Sequence, residues 1–138
     1  MSESNRKYFR KFKFTVTQIE NYINNAYRDL EIAGESRRAE VKFSYSYTAL
    51  IKGGIAVIAR VKNAKVRSVP GHHVKIIEML SEILGDDSIS AVGNAMRSKR
   101  NLDLYGEGLI VSKKESKDYY KFVSKVLERI KAYFREEI

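Results

Sequence analysis

The sequence predicts an all-α protein, an up-and-down bundle of four or five helices, and three features support this fold class. The 138 residues include one proline and eight glycines, so few positions interrupt a helix. Apolar residues recur at intervals of three and four, which is the spacing of one helix face. Two Ser/Thr-x-x-Gln/Glu sequences, at 15–18 and 112–115, are typical of helix N-termini. A chain of this length is expected to form one domain.

The composition limits the kinds of site that the chain can build. The absence of cysteine excludes disulfides and cysteine-based zinc sites, and it agrees with a cytoplasmic location. We expect no membrane span and no secretory signal, because no apolar run reaches 18 residues and the N-terminus lacks an apolar core. Lys and Arg outnumber Asp and Glu by 26 to 17, a formal charge of +9. Such a surplus favours solubility or binding to nucleic acid, an anionic membrane or an acidic partner.

Residues 1–14 form a basic and aromatic N-terminal arm, which precedes a predicted bundle of residues 15–138. Five Lys or Arg side chains and four aromatic rings fill positions 6–14. One interpretation is a frayed terminus whose Phe12 and Phe14 pack on the bundle. The other is an arm that contacts RNA, because aromatic rings stack on bases and cations neutralise phosphates.

The first predicted helix follows Thr15, whose side chain is expected to form a capping box with Gln18. Gly34 is expected to end this helix. Apolar positions four, three, four and three residues apart form its single stripe, which consists of Ile19, Ile23, Ala26, Leu30 and Ala33.

The second predicted helix, from about Arg37 to Lys62, is the most apolar segment and is therefore placed at the centre of the bundle. Its expected inward stripe consists of Val41, Tyr45, Thr48, Ile51, Ile55 and Ile58. Gly53 and Gly54 interrupt this helix, at a cost of about 1 kcal/mol each relative to alanine. They predict either a close approach of two helices or a gap that a ligand or a partner helix fills.

Recognisable breaks bound the remaining helices. The third is predicted from about His72 to Leu84, and Gly85 is expected to stop it. Asp87 or Ser88 is expected to cap the fourth, which ends near residues 105–106. The fifth begins at the second Ser/Thr-x-x-Gln/Glu sequence, residues 112–115. A basic loop of residues 63–70 precedes the third helix.

The segment most informative about function is the basic end of the fourth helix. Its Arg100-Asn101 pair, followed by Tyr105, has no evident packing purpose. Arg97, Asn101 and Tyr105 are four residues apart and share one helix face. Arg100 lies to one side of this face, so either arginine is a candidate to face a site.

Four segments together resemble the HEPN family of small helical proteins, over about residues 15–135. Residues 26–33 resemble the family's acidic-Leu-x-x-Ala unit, and residues 46–50 resemble its central aromatic-x-Ala segment. Residues 70–74, Pro-Gly-His-His-Val, resemble the Gly-His opening of its third helix. Residues 97–105 resemble the Arg-Asn-x-x-x-Tyr form of some branches, in which Tyr105 stands in place of the usual signature histidine.

The resemblance implies a homodimer in which the Arg-Asn segments of two subunits face each other across the two-fold axis. Catalytic members are metal-independent endoribonucleases, frequently toxins paired with a minimal nucleotidyltransferase, and other members act only as binding modules. The resemblance makes Arg100, Asn101 and Tyr105 the candidate catalytic residues. The further candidates for binding nucleic acid or another anion are Arg97, Lys99, His72, His73, Lys65 and Arg67. No metal or cofactor is expected.

Metal-free RNA cleavage needs a base for the ribose 2′-hydroxyl and cations for the charge on the phosphorane. Arginine suits the second task. Tyr105 is a poor base, because at a pKa of about 10 only about one phenol in a thousand is ionised at pH 7. His72 or His73 replaces it if the fold brings either near Arg100. The alternative is that both histidines satisfy a loop or border the core.

We therefore expect a dimeric module that binds RNA, a nucleotide or a partner protein, with weak or no nuclease activity. An active endoribonuclease is the alternative, and a polar stripe that only seals the dimer interface is a third interpretation. No phosphate-binding glycine loop, dinucleotide motif or Ser/His/Asp hydrolase pattern points to another enzyme class.

Overall fold

A computed structural model describes residues 3–104 and 111–136, most of which are helical. The elements are α1 (Glu3–Tyr8), β1 (Phe9–Lys11), α2 (Val16–Glu35), α3 (Ala39–Lys62), β2 (Ala64–Val66), α4 (His72–Leu84), α5 (Asp87–Leu104) and α6 (Lys113–Glu136). The predicted helical bundle is confirmed, since α2 to α6 correspond to the five expected helices. The short α1 and the two strands are additions that the sequence analysis does not contain.

Local side-chain caps set several helix boundaries as predicted. The Gln18 backbone N–H donates to Thr15 Oγ1 at 3.1 Å, and the Thr15 N–H donates to Gln18 Oε1 at 2.8 Å. The same reciprocal pair joins Ser112 and Glu115 at the start of α6. Gly85 ends α4 with a left-handed backbone, at φ 64°. Both capping boxes and the stop at Gly85 are therefore confirmed.

Two boundaries differ from the prediction. The cap of α5 is Asp86, not Asp87 or Ser88, because the Asp86 carboxylate accepts the Ser88 backbone N–H at 2.9 Å. Asp86 follows directly on the terminal glycine of α4, so the turn between the two helices is shorter than expected. Gly34 does not end α2 but lies within its last turn, which closes at Glu35.

Consecutive long helices run antiparallel except for α3 and α4. Tyr47 of α3 lies beside His73 of α4, and Gly54, seven residues later, faces Ile76 of α4. Because the contacts ascend in both helices, α3 and α4 run in the same general direction. The expected up-and-down order fails at this step, since the connection of residues 63–71 returns along α3 before α4 begins.

The two strands form an antiparallel ribbon, which we define as residues 9–11 and 64–66. Phe9, 3% exposed, and Ala64 are buried on its inner side, and β2 packs against α3. Phe14 packs on the bundle as one interpretation predicted, with its ring 5.5 Å from that of Tyr22. Phe12 is 38% exposed and contacts Phe14 at a ring distance of 4.6 Å, so it packs only in part, and through Phe14. The aromatic anchor of this segment is Phe9.

α3 is the central helix, and a glycine pair lets its neighbours approach it closely. A Cβ added at Gly53 would lie 2.7 Å from Leu127 Cδ2 of α6. A Cβ added at Gly54 would lie 2.6 Å from Ile76 Cγ2 of α4. The predicted close helix approach is thus confirmed, and the chain's own helices fill the space. None of the helices among the described residues has the length and apolarity that crossing a bilayer requires.

A buried ion pair joins α2 to α3. Asp29 is 3% exposed, and its Oδ2 lies 2.7 Å from Lys52 Nζ. Loss of Lys52 would leave the Asp29 carboxylate charged in a poorly solvated place, which costs up to about 3–5 kcal/mol, whereas Lys52 is partly exposed and stays hydrated. Asp29 belongs to residues 26–33, so this part of the HEPN-like pattern has a packing role here.

We expect Gly54→Ala to lower the free energy of unfolding by about 1–3 kcal/mol, as overpacking of a core does. The new methyl group would overlap Ile76 Cγ2, which sits on a stiff β-branched side chain. Urea unfolding measures the change. Helix propensity alone predicts a gain of about 1 kcal/mol, so a stabilised variant would contradict the close packing. Ala132→Gly, on the exposed side of α6, calibrates propensity without packing.

Candidate nucleic-acid interface

Side chains of α3, α4 and α5 converge at one site. The Tyr47 hydroxyl oxygen of α3 lies 2.9 Å from His73 Nδ1 of α4. The Arg100 guanidinium of α5 lies 5.5 Å from the centre of the Tyr47 ring. The charges of Arg97 and Arg100 act on both Tyr47 and His73. We call Tyr47, His72, His73, Arg97 and Arg100 the basic cluster.

The tight pairing of α4 with α5 brings these residues to the same level. A Cβ added at Gly93 of α5 would lie 2.8 Å from Ile77 Cγ2 of α4. Because α4 and α5 are antiparallel, one turn back on α4 and one turn forward on α5 reach the same height. Those positions are His73 and Arg97. The close contact of α4 and α5 at Gly93 thereby places the His73 imidazole beside the Arg97 guanidinium.

Burial fixes the protonation of Tyr47 and His73. Tyr47 is 1% exposed, and its burial raises its pKa to about 12 although Arg100 and Arg97 lower it. The phenol therefore keeps its proton, and we assign it as the donor to His73 Nδ1, because a phenol O–H is a stronger hydrogen-bond donor than the N–H of a neutral imidazole. Burial, together with the charges of His72, Arg100 and Arg97, lowers the pKa of His73 to about 4. His73 is thus neutral at pH 7, with its own proton on Nε2.

His72 is held in the opposite tautomer. Its Nδ1 lies 2.8 Å from the Val69 carbonyl oxygen. A carbonyl only accepts, so Nδ1 carries a proton, and Nε2 has a free lone pair whenever the ring is neutral. The centres of the two histidine rings are 4.4 Å apart, edge to face. The histidine pair therefore offers one N–H donor, on His73, and one acceptor, on His72.

The basic cluster contains an excess of positive charge. Among the described residues, neither Arg97 nor Arg100 forms an ion pair with a carboxylate. Arg97 Nε donates to the neutral Asn94 Oδ1 at 3.4 Å. Two half-buried guanidinium groups within one helical turn repel each other unless an anion lies between them. The site is therefore suited to an anion that accepts several hydrogen bonds.

The predicted residues of the HEPN-like signature are partly placed by the structure. Arg97 and Arg100 both belong to the basic cluster, so both of the candidate arginines face the same site. Asn101 lies half-buried on α5, next to Arg100. Tyr105 lies outside the described residues, and its predicted role stays a prediction.

The other predicted anion-binding residues make contacts outside the basic cluster. Lys99 Nζ is 3.2 Å from Glu115 Oε2 at the start of α6. Lys65 is on β2, with its Nζ 6.0 Å from the centre of the Phe12 ring. Arg67 follows β2 and donates to the Arg6 carbonyl oxygen at 3.1 Å.

Tyr47 enters the sequence analysis only within the aromatic-x-Ala segment of residues 46–50 and is not predicted there as a site residue. The predicted stripe of α3 included Tyr45, which is 37% exposed, and this prediction is wrong. A second stripe with the same four-three-four spacing passes through Phe43, Tyr47, Leu50 and Gly54, all of them buried. That spacing is the signal that finds Tyr47.

We expect the protein to lose stability as the pH falls from about 6.5 to 4. The pKa of His73 is about 4 in the folded chain against an ordinary value of 6.5, so the unfolded chain takes up this proton first. The loss is about 1–2 kcal/mol once partial exposure of the ring is allowed for. Urea unfolding at pH 7 and at the acidic end of this window measures it. An equally steep pH dependence in His73→Gln would contradict this origin.

Comparisons with known proteins add no relative. No protein-family model matches the chain, nor does any curated protein or solved structure.

Proposed function

We propose that this chain is a HEPN-like module that binds RNA through the basic cluster and cleaves it weakly or not at all. The observation that carries the proposal is the meeting of Arg97, Arg100 and His73 around the buried Tyr47 ring. These three side chains offer guanidinium N–H groups and an imidazole N–H to one ligand. A phosphodiester supplies both the negative charge and the acceptor oxygens that they need.

RNA is favoured over a small anion because the positive charge is not confined to the cluster. The chain carries a formal charge of +9, and residues 88–102, around Arg97 and Arg100, contain no Asp or Glu. A polyanion gains affinity from each neutralised phosphate through release of counterions, whereas a single phosphate gains it once. Binding of a mononucleotide or of a protein partner is an outcome that the experiment below distinguishes.

Binding without efficient cleavage follows from the state of His73. A general base must be unprotonated at the nitrogen that faces the substrate and have a pKa near the working pH. His73 has a pKa of about 4 and carries its proton on Nε2. A buried, neutral imidazole of this kind is a hydrogen-bond donor to phosphate rather than an acceptor of the 2′-hydroxyl proton.

A second function, metal-independent RNA cleavage, is favoured by one specific contact. The hydrogen bond from His72 Nδ1 to the Val69 carbonyl leaves His72 Nε2 as an acceptor on a ring 4.4 Å from that of His73, on which the charges of Arg97 and Arg100 act. In such a reaction His72 takes the 2′-hydroxyl proton, the 2′-oxygen bonds to phosphorus and the bond to the 5′-oxygen breaks. The 5′-oxygen leaves with a proton from water, and Arg97 and Arg100 stabilise the charge on the phosphorane. The homodimer and the nucleotidyltransferase partner that the family resemblance implies stay predictions.

We expect Arg97→Gln/Arg100→Gln to bind single-stranded RNA about 25-fold more weakly at 0.1 M salt. Each phosphate contact raises the affinity by about 0.7 log units for every tenfold fall in salt concentration, so the loss of two contacts costs about 1.4 log units at 0.1 M relative to 1 M salt. Fluorescence anisotropy with a labelled oligonucleotide measures the affinity and its salt dependence. The control is Lys121→Gln/Lys125→Gln, which removes the same charge from the exposed side of α6. Equal RNA affinity in the cluster variant and the control would contradict the proposal, as would parent protein that binds only mononucleotides.

We also expect purified protein to leave a mixed RNA pool largely intact in the presence of a chelator. His72→Gln and Arg100→Gln are assayed beside the parent by denaturing gel. Robust cleavage that disappears in both variants and persists in His73→Gln would establish the second function in place of the first.

A further inference from the structure

The net positive charge of this chain is concentrated in two segments. Residues 4–19 and 41–77 hold 12 of the 26 Lys and Arg residues and none of the 17 Asp and Glu residues. The rest of the chain therefore has 14 basic and 17 acidic residues. The entire basic surplus lies in segments that the two strands bring together.

On the solvent side of the ribbon, two cations face each other directly. Arg10 of β1 is paired in register with Lys65 of β2, and both side chains are exposed. Like charges directly opposite each other on neighbouring strands destabilise the pairing. Within the part of the chain that the structure describes, neither cation pairs with a carboxylate. The repulsion is relieved when an anion binds between them.

An exposed aromatic ring lies beside this pair. Phe12 is 38% exposed, and Lys65 Nζ lies 6.0 Å from the centre of its ring. The Phe14 ring, 4.6 Å from Phe12, supports it from behind. Proteins that bind single-stranded nucleic acid use exposed rings next to cations, because unpaired bases stack on the ring while the cations follow the phosphates. In a duplex the bases are stacked on each other, so Phe12 adds no stacking contribution to the affinity for a duplex.

We propose that Arg10 and Lys65 on the solvent face of the ribbon, together with the ring of Phe12 just after β1, bind single-stranded RNA that extends from the basic cluster. This inference rests on the proposed function. The two surfaces lie close enough for one ligand to reach both, because Lys65 and His72 are seven positions apart in the sequence, a distance of at most about 25 Å. One strand of several nucleotides spans both surfaces.

The fold holds the ribbon next to the cluster through short contacts. The Arg67 backbone N–H donates to the Tyr8 carbonyl at 2.7 Å, which extends the strand pairing towards α4. Tyr8 also lies against Gly71, the residue before His72. The N-terminal segment is therefore fixed against the start of the helix that carries both histidines.

The test measures binding of single-stranded RNA of about 4 and about 12 nucleotides, within the range of site sizes of single-strand binding domains. The full chain is compared with Arg10→Gln/Lys65→Gln and with the α6 control, Lys121→Gln/Lys125→Gln. We expect the ribbon variant to bind the short RNA like the parent, because that RNA occupies the basic cluster. The long RNA should bind it about 25-fold more weakly at 0.1 M salt, since two contacts are lost. Phe12→Ala should weaken binding of the long RNA about fivefold or more, because one stacked base loses its ring.

A stability measurement separates binding from folding. Removal of the like-charged pair should leave the melting temperature of the ribbon variant equal to or above that of the parent. Weaker binding in a variant of undiminished stability then reports a lost contact with RNA rather than a lost strand.

Three outcomes would overturn the inference in distinguishable ways. Unchanged affinity of the ribbon variant for the long RNA ends the inference but leaves the basic cluster as the binding site. A parent protein that binds neither RNA length ends the proposed function and the inference together. A ribbon variant that keeps its RNA affinity but no longer binds vesicles of anionic lipid assigns the ribbon to a membrane instead.

Discussion

The close approach of three helices at Gly53 and Gly54 is the constraint on which the remaining architecture depends. α6 occupies one side of the glycine pair and α4 the other, and each contact is too close for an added Cβ. Because Ile76 of α4 packs against Gly54, the first turn of α4 brings His73 to Tyr47, which lies seven residues and about 10 Å before Gly54 on α3. The basic cluster is therefore a product of core packing, assembled from residues that are distant in the sequence.

Desolvation decides the chemistry of that cluster. Tyr47 belongs to the core by its ring and to the site by its hydroxyl, and its burial keeps the phenol protonated. The same burial, with nearby positive charge, keeps His73 neutral and makes it a donor. His72, one residue earlier, is oriented instead by a backbone carbonyl. Two adjacent residues of the same type thus present opposite hydrogen-bonding groups, and our choice between proposed RNA binding and RNA cleavage rests on this difference.

The sequence predicts those parts of the fold that local rules control. The extents of the long helices and both capping boxes follow from periodicity and from side chains within three residues of the helix start. The strands do not, because three residues show no alternation and the partners at Arg10 and Lys65 are far apart in the chain. Tyr47 is missed because one stripe describes a helix with one buried face, whereas α3 is buried on most sides. The meeting of His73 with Arg100 has no local signal at all.

If a polyanion binds the ribbon as we propose, its capture is thermodynamically linked to the pairing of the two strands. Burial of Phe9 favours the paired ribbon, and repulsion between Arg10 and Lys65 opposes it. A bound polyanion removes the opposition and so holds the strands together, and by reciprocity firm pairing raises the affinity for the polyanion. Simple salt has two effects of opposite sign, since it screens the cations from each other and also competes for them. The order of the N-terminal segment is therefore set in part by the electrolyte around the protein.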